Sequence, residues 1–189
     1  DPNPAMRQRA TEVLGDYPWF ETLDELLELG IDCAIVTSPD DTHEDITCAL
    51  LEAGVAVYLE KPIAITIEGS DRVLETAYRT KTPLYVGHNM RHMAVVRILR
   101  QVVQDGLIGE VRAIWCRHFV GNGGDYYFKD WHADRSRTTG LLLQKAAHDI
   151  DVMNWLSDSV PERVVGMGDL MLYGKLTDRS GQKSDAVMS

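Results

Sequence analysis

The sequence predicts an α/β chain whose first half is part of a doubly wound parallel sheet. Short apolar runs at residues 32–37, 55–59 and 84–86 alternate with stretches of helical spacing. Each run ends in residues that favour turns: Ser38-Pro39-Asp40-Asp41, Glu60-Lys61-Pro62 and Gly87. Parallel neighbours need a crossover connection, so strands alternating with helices imply a sheet covered by helices on both faces.

From Pro4 to Leu14 the chain reads as a helix, with proline in the first turn and Gly15 at the end. A second helix is expected at residues 23–29. The run 32–37 suits a buried strand, and 42–53 returns to helical spacing: Ile46, Ala49, Leu50 and Ala53 fall at i, i+3, i+4 and i+7, so one face can pack on a sheet. Gly54 closes that helix. A strand at 55–59, a helix at 68–78 and a third strand at 84–86 complete the alternation.

Past Gly87 the texture changes. A helix at 93–104 leads through Gly106 and Gly109 to an expected strand at 111–120. The glycine-rich stretch 121–124 opens a loop rich in aromatic and polar residues, Tyr126 to His132, and loops of that composition commonly bind ligands. A helix at 141–156, a strand at 163–172 and a polar tail at 174–189 follow.

Composition bounds the function. With 44% hydrophobic and 25% charged residues, the 189-residue chain is an ordinary globular sequence. Acidic residues outnumber basic ones 29 to 19, and the formal charge of -10 repels polyphosphate backbones, which argues against nucleic acid as a partner. No apolar run approaches the roughly 20 residues needed to cross a bilayer, and Asp1-Pro2-Asn3-Pro4 has no signal-peptide pattern. A soluble, cytoplasmic protein is expected. Cys33, Cys48 and Cys116 are odd in number, lack zinc spacing and lie in apolar runs, so they read as reduced, buried thiols.

In an open parallel sheet the ligand binds beyond the carboxyl ends of the strands. Three clusters stand there: Thr37-Ser38-Pro39 with His43, Glu60-Lys61-Pro62, and His88-Asn89. Taken alone, the first is a turn and helix cap. In the second, a lysine directly after a buried run sits where desolvation can make it reactive; a solvated surface lysine is the equal alternative. In the helix at 141–156, Gln144, His148 and Asp151 lie at i, i+4 and i+7 and so share a face. His148 with Asp151 suits a base and its orienting carboxylate. A packed core histidine is the competing reading, but Lys145 and Asp149 crowd the same turn.

Taken together, Thr37-Ser38-Pro39-Asp40 with His43, then Glu60-Lys61-Pro62, then His148-Asp149-Ile150-Asp151 resemble the glucose-fructose oxidoreductase / inositol dehydrogenase (Gfo/Idh/MocA) family in order and spacing. The likeness extends to Val86-Gly87-His88-Asn89-Met90-Arg91 and to residues 105–110. It implies a partial Rossmann domain at residues 1–87. Part of an α+β domain with an open, mostly antiparallel sheet would follow at 88–189, with homodimers or homotetramers built through that sheet.

The resemblance also implies roles. Thr37, Ser38, Pro39 and His43 would line the cofactor, Glu60 and Lys61 would meet the nicotinamide ribose, and Asn89 would lie close by. Lys61 would hydrogen-bond the reacting oxygen and His148 would exchange its proton, with Asp151 and Gln144 completing the catalytic set. Trp131, His132 and Lys145 join Lys61 and His148 as expected substrate contacts. Tyr126, Tyr127, Arg135 and Arg137 extend that loop, the tyrosines equally suiting a subunit interface. The cofactor implied is NAD rather than NADP, because Asp1 matches the acidic residue that binds the adenosine ribose and would repel a 2′-phosphate.

Two departures stand out. Inositol dehydrogenases carry an aspartate four residues before the histidine, where this chain has Gln144, which cannot accept a proton. The glycine-rich G-x-G-x-x-G loop is absent, so the sequence reads as part of a longer protein that begins at the end of a second strand and stops short of the final ones. The expected activity is a dehydrogenase acting on a secondary alcohol of a sugar, cyclitol or related polyol. A non-catalytic ligand-binding or regulatory protein and an NAD-dependent glycosidase are the alternatives.

Overall fold

The computed structural model describes residues 3–119, 127–169 and 171. Helix α1 spans Pro4–Leu14, with the Asn3 side chain accepting from Ala5 N at 3.0 Å and Gly15 at φ 91° beyond its end. Asparagine at the cap and proline in the first turn dictate this start. Helix α2, Leu23–Leu27, begins with a reciprocal capping box between Thr22 and Glu25.

Three parallel strands follow: β1 (Cys33–Val36), β2 (Ala56–Leu59) and β3 (Leu84–Val86), in spatial order β1-β2-β3. The crossovers are α3 (His43–Glu52), entered through a 3-10 turn at Asp40–Thr42, and α4 (Ile67–Thr80), capped by the Thr66 hydroxyl. Helices α3 and α4 pack on each other and on the sheet, enclosing Val36, Cys48, Leu50, Leu51, Val57, Leu59 and Val73. Burial of these side chains stabilises the unit by about 1.5–3 kcal/mol apiece. Arg72 pairs with Glu44 and Asp45, and Arg79 with Glu52, across the outer surface of the two helices.

The other face of the sheet is open among the described residues, against the expectation of helices on both. Alternation along the strands sends Ile35, Tyr58 and Tyr85 to that face, where register places them side by side with relative exposures of 73%, 37% and 48%. Gly87, after β3, is fixed by close approach: a Cβ there would lie 3.0 Å from the Tyr58 hydroxyl and 3.3 Å from the Leu59 carbonyl oxygen. The cysteines also differ from expectation. Cys48 alone is buried; Cys33 and Cys116 are exposed, and all three are free thiols.

Beyond β3 a 3-10 turn at Asn89–His92 leads into α5 (Ala94–Gln104), which packs against the late helix α8 (Ala147–Ser157). Trp155 of α8 lies between two guanidinium groups, Arg91 at 5.5 Å and Arg100 at 5.4 Å from its ring centre. A 3-10 turn at Asp130–Ala133 and two single-turn helices, α6 (Arg135–Thr138) and α7 (Leu141–Gln144), precede α8. The single helix expected at 141–156 is therefore broken at Lys145-Ala146. Neither 111–119 nor 163–169 forms a strand. A strand exists through hydrogen bonds to a neighbour, and neither run has one among the described residues. Apolar side chains such as Trp115, Phe119, Val165 and Met167 stay exposed there. The expected antiparallel sheet is thus absent from the described residues, and the polar tail lies outside them.

Candidate active site

The carboxyl ends of β1 and β2 converge on a cavity of about 220 Å³ lined by Thr37, Ser38, Asp40, His43, Glu60, Lys61, Tyr127, Trp131, His132 and Gln144. A wider cleft of about 520 Å³ lies by α1 and α2, between Arg7, Trp19 and Glu28; it shares no residue with the first and holds none of the strand-end groups.

Parallel pairing of β1 with β2 brings the two strand-end turns together. His43, the first residue of α3, clamps them: its Nδ1 lies 2.7 Å from the Pro62 carbonyl oxygen and its Nε2 2.9 Å from that of Ser38. The ring is 1% exposed. With both nitrogens on main-chain oxygens, the imidazole shapes the cavity wall, among the residues expected to line the cofactor. The Thr42 hydroxyl, 2.6 Å from Ser38 Oγ and 2.7 Å from the Pro39 carbonyl, braces the same loop.

Lys61 follows β2 and precedes a cis peptide bond to Pro62. Its backbone N–H donates to Glu60 at 2.9 Å, and its ammonium donates to the Gln144 backbone carbonyl at 2.8 Å. Burial lowers its pKa, the Asp40 and Glu60 carboxylates oppose that shift, and the Lys145 cation adds to it. Asp40 is buried at 6% exposure, and its pKa is raised by desolvation against the pull of Lys61 and then His43. Burial thus drives acid and amine both toward their neutral forms.

Around Lys61 the polar groups are under-satisfied. Asp40 Oδ2, both side-chain heteroatoms of Gln144 and Nδ1 of His148 are buried without hydrogen-bond partners. Gln144 is near enough to favour the charged form of Asp40, without hydrogen-bond geometry good enough to satisfy either group. Such orphans each cost about 1–3 kcal/mol, and in native proteins they mark places where water or a ligand completes the set.

His148 is 6% exposed at the start of α8. Its pKa is lowered to about 4 by burial, with Lys61, Lys145 and His88 adding repulsion and Asp149 opposing. It is therefore a neutral imidazole at pH 7. The expected partnership with Asp151 does not form. Asp151 accepts from Arg91 Nε at 2.8 Å and Nη2 at 2.5 Å, with His88 Nδ1 at 3.7 Å. A bidentate guanidinium outcompetes a neutral ring for a carboxylate. The break between α7 and α8 also removes Gln144 from the continuous stripe expected to hold it with His148 and Asp151.

Trp131 and His132 stack at 3.8 Å, and the Arg137 guanidinium, held by Asp41 at 3.1 Å, lies 5.7 Å from the Trp131 ring centre. These contacts bring the aromatic loop to the strand ends. Lys145 is half-buried beside Lys61 and His148, whereas Asn89 and Arg135 are exposed and outside the cavity lining. Asp1 and Tyr126 lie outside the described residues. His88 stands in the third strand-end cluster, whereas Asp40 and Arg91 are site residues that the sequence alone did not single out; an acidic residue within the strand-end turn was the available signal for Asp40.

Residues 1–88 match the Gfo/Idh/MocA family described as an oxidoreductase family with an NAD-binding Rossmann fold, and residues 96–184 match the family's C-terminal domain. The chain belongs to the Gfo/Idh/MocA family. Inositol 2-dehydrogenase of Klebsiella pneumoniae (strain ATCC 700721) is 33% identical to this Gfo/Idh/MocA chain over 127 residues, covering 67% of the chain and 35% of that protein. The WlbA dehydrogenase of Chromobacterium violaceum, solved with NADH and UDP-GlcNAcA, superposes with a TM-score of 0.69 at 26% identity, over 82% of this chain and 46% of that one. The myo-inositol 2-dehydrogenase of Lactobacillus plantarum shares the fold, with a TM-score of 0.73 at 20% identity, over 84% and 47%. The chain spans less than half the length of each.

Proposed function

We propose that this chain carries the reacting centre of an NAD(P)-dependent dehydrogenase that acts on a secondary alcohol of a sugar, cyclitol or related polyol. One observation carries the reading: the Lys61 ammonium, held on the Gln144 carbonyl, shares a strand-end cavity with the orphaned polar atoms of Asp40 and Gln144. The half-buried cation would hydrogen-bond the reacting oxygen and stabilise the charge that develops there. His148, neutral at pH 7, would take the alcohol proton. Trp131 would offer a face to the ring.

The residues present fit a nicotinamide–ribose. Thr37, Ser38 and Glu60 supply hydroxyl and carboxylate groups beside Lys61, and Gln144 has an amide with no partner. When bound, that group supplies the hydride acceptor or donor. We infer NAD rather than NADP, on the acidic Asp1. We also assign residues 1–87 to the cofactor domain and 88–189 to the substrate domain; the extents of the two family matches support this division.

A homodimer or homotetramer through the second half belongs to the same reading, supported by exposed Trp115, Phe119, Val165 and Met167. No helix among the described residues is long and apolar enough to cross a membrane. Free cysteines support a cytoplasmic setting.

The test is nicotinamide absorbance on mixing the full-length protein with cofactor and a panel of polyols. A polyol-dependent change supports the reading. Tight cofactor binding with no change for any polyol would instead favour the ligand-binding alternative, to which the proton-inert Gln144 already points.

A further inference from the structure

Tyr127, Trp131 and His132 bring aromatic rings from the second half of the chain to the cavity whose other lining residues include Thr37, Ser38, Asp40, Glu60 and Lys61. Trp131 stacks on His132 at 3.8 Å, and Tyr127 meets His132 edge-on at 6.3 Å. The segment that carries the stacked pair is tied to itself. The Thr138 hydroxyl, fully buried, lies 3.3 Å from the His132 carbonyl oxygen and 3.2 Å from that of Asp134. Asp134 in turn caps α6, its carboxylate accepting from Ser136 N at 2.9 Å. These bonds give residues 131–138 a shape of their own, but they do not join it to the strand ends.

Arg137 makes that connection. Its Nε donates at 3.1 Å to Oδ2 of Asp41, in the 3-10 turn after β1, and α6 packs on the same turn. Its guanidinium carbon also lies 5.7 Å from the centre of the Trp131 ring. Arg137 is absent from the residues that line the cavity, and its charge already faces a carboxylate. Such a group is suited to holding a wall rather than meeting a ligand. The other Asp41 oxygen, Oδ1, is buried without a hydrogen-bond partner, so the carboxylate depends on this cation.

We propose that Arg137 and Asp41 are positioning residues of this site: their ion pair seats the Trp131–His132 stack against the turn after β1, so that the rings close the cavity that holds Lys61. The inference rests on the reading of that cavity as the reacting centre. Asp41 fixes the guanidinium, and the planar guanidinium carries the constraint to the indole beside it. A lysine at 137 would keep the charge and lose the plane.

The experiment labels the full-length protein with 5-fluorotryptophan and follows Trp131 by fluorine NMR, its signal assigned by its loss in Trp131→Phe. Arg137→Met and Asp41→Asn should each move that signal toward the position of Trp115, which is 85% exposed, and raise its solvent isotope shift between H2O and D2O. Trp19 and Trp155 should stay where they are. The double variant should go no further than either single one, because both remove the same pair. Arg137→Lys should fall between wild type and Arg137→Met. With NADH as the probe, acrylamide should quench the bound nicotinamide more strongly in Arg137→Met while the dissociation constant stays near that of the wild type, a split that a merely structural ion pair would not produce. An unmoved Trp131 signal in Arg137→Met overturns the inference; so does a double variant whose displacement is the sum of the two singles, or a change that spreads to Trp19 and Trp155. Should Arg137→Met not fold, Arg137→Lys must itself displace the Trp131 signal or the inference fails. The fluorine measurement needs no turnover, so a coupled Trp131 without polyol oxidation would count against the dehydrogenase reading alone.

Discussion

The Lys61 ammonium donates to the backbone carbonyl of Gln144 at 2.8 Å, across 83 residues of chain. This bond sets the direction of a half-buried cation from the far side of the cavity, and Asp40 opposes the loss of its charge. Lys61→Ala in the full-length protein should lower kcat by about 10²–10³-fold, because the interaction strengthens as charge develops on the reacting oxygen. Cofactor affinity should change far less. Steady-state kinetics beside a cofactor titration checks both, and unchanged turnover would remove Lys61 from the chemistry.

His148 links the fold to pH. Its pKa of about 4 lies below the ordinary 6.5, so the unfolded chain binds a proton more readily than the native one. The neutral ring therefore contributes stability that is present above pH 6.5 and lost progressively as pH falls through 4. Urea midpoints measured between pH 7 and 4 should fall less steeply for His148→Asn than for the wild type. Parallel curves would show that the ring is not held neutral.

His43 joins two loops through two carbonyls and is almost wholly buried. His43→Phe would fill the space but leave the Ser38 and Pro62 oxygens buried and unpaired. A loss of about 2–4 kcal/mol is expected, read from urea denaturation. Cofactor binding should weaken as well, since the turns on both sides of the cavity are released. A loss of cofactor affinity with no loss of stability would instead assign the ring to direct contact.

Arg91→Met removes both donors from Asp151, whose side chain is only 11% exposed. An uncompensated buried carboxylate costs about 3–5 kcal/mol; the guanidinium side of this pair is partly solvated, so about 1–3 kcal/mol is expected. Amide exchange in α8 should accelerate while that in α3 and α4 stays as in the wild type. Equal protection in α8 would mean that packing on α5 alone holds the helix.

Much of the fold was legible because its first half obeys local rules. Pro4 and Gly15 mark the ends of α1, the spacing of Ile46 to Ala53 specifies the buried face of α3, and the apolar runs place β1, β2 and β3 to within a residue or two. Strand-end position left Lys61 an even choice between a reactive and a solvated lysine, and only the family resemblance joined it to His148. Other features depend on tertiary partners that periodicity does not encode. Helical spacing points Asp151 to His148, and only the fold brings Arg91 to it. The break at Lys145-Ala146 interrupts a pattern that looks continuous in one dimension. The runs at 111–119 and 163–169 have strand composition, but strands are made by neighbours, and the described residues offer them none.

The hold of Gln144 on Lys61 passes through the main chain, so substitution of the glutamine side chain leaves the anchoring oxygen where it is. Position 144 can therefore carry an acid or an amide while its backbone oxygen still accepts from the lysine. In a chain built this way, the side chain that faces the cavity can change without first moving the lysine.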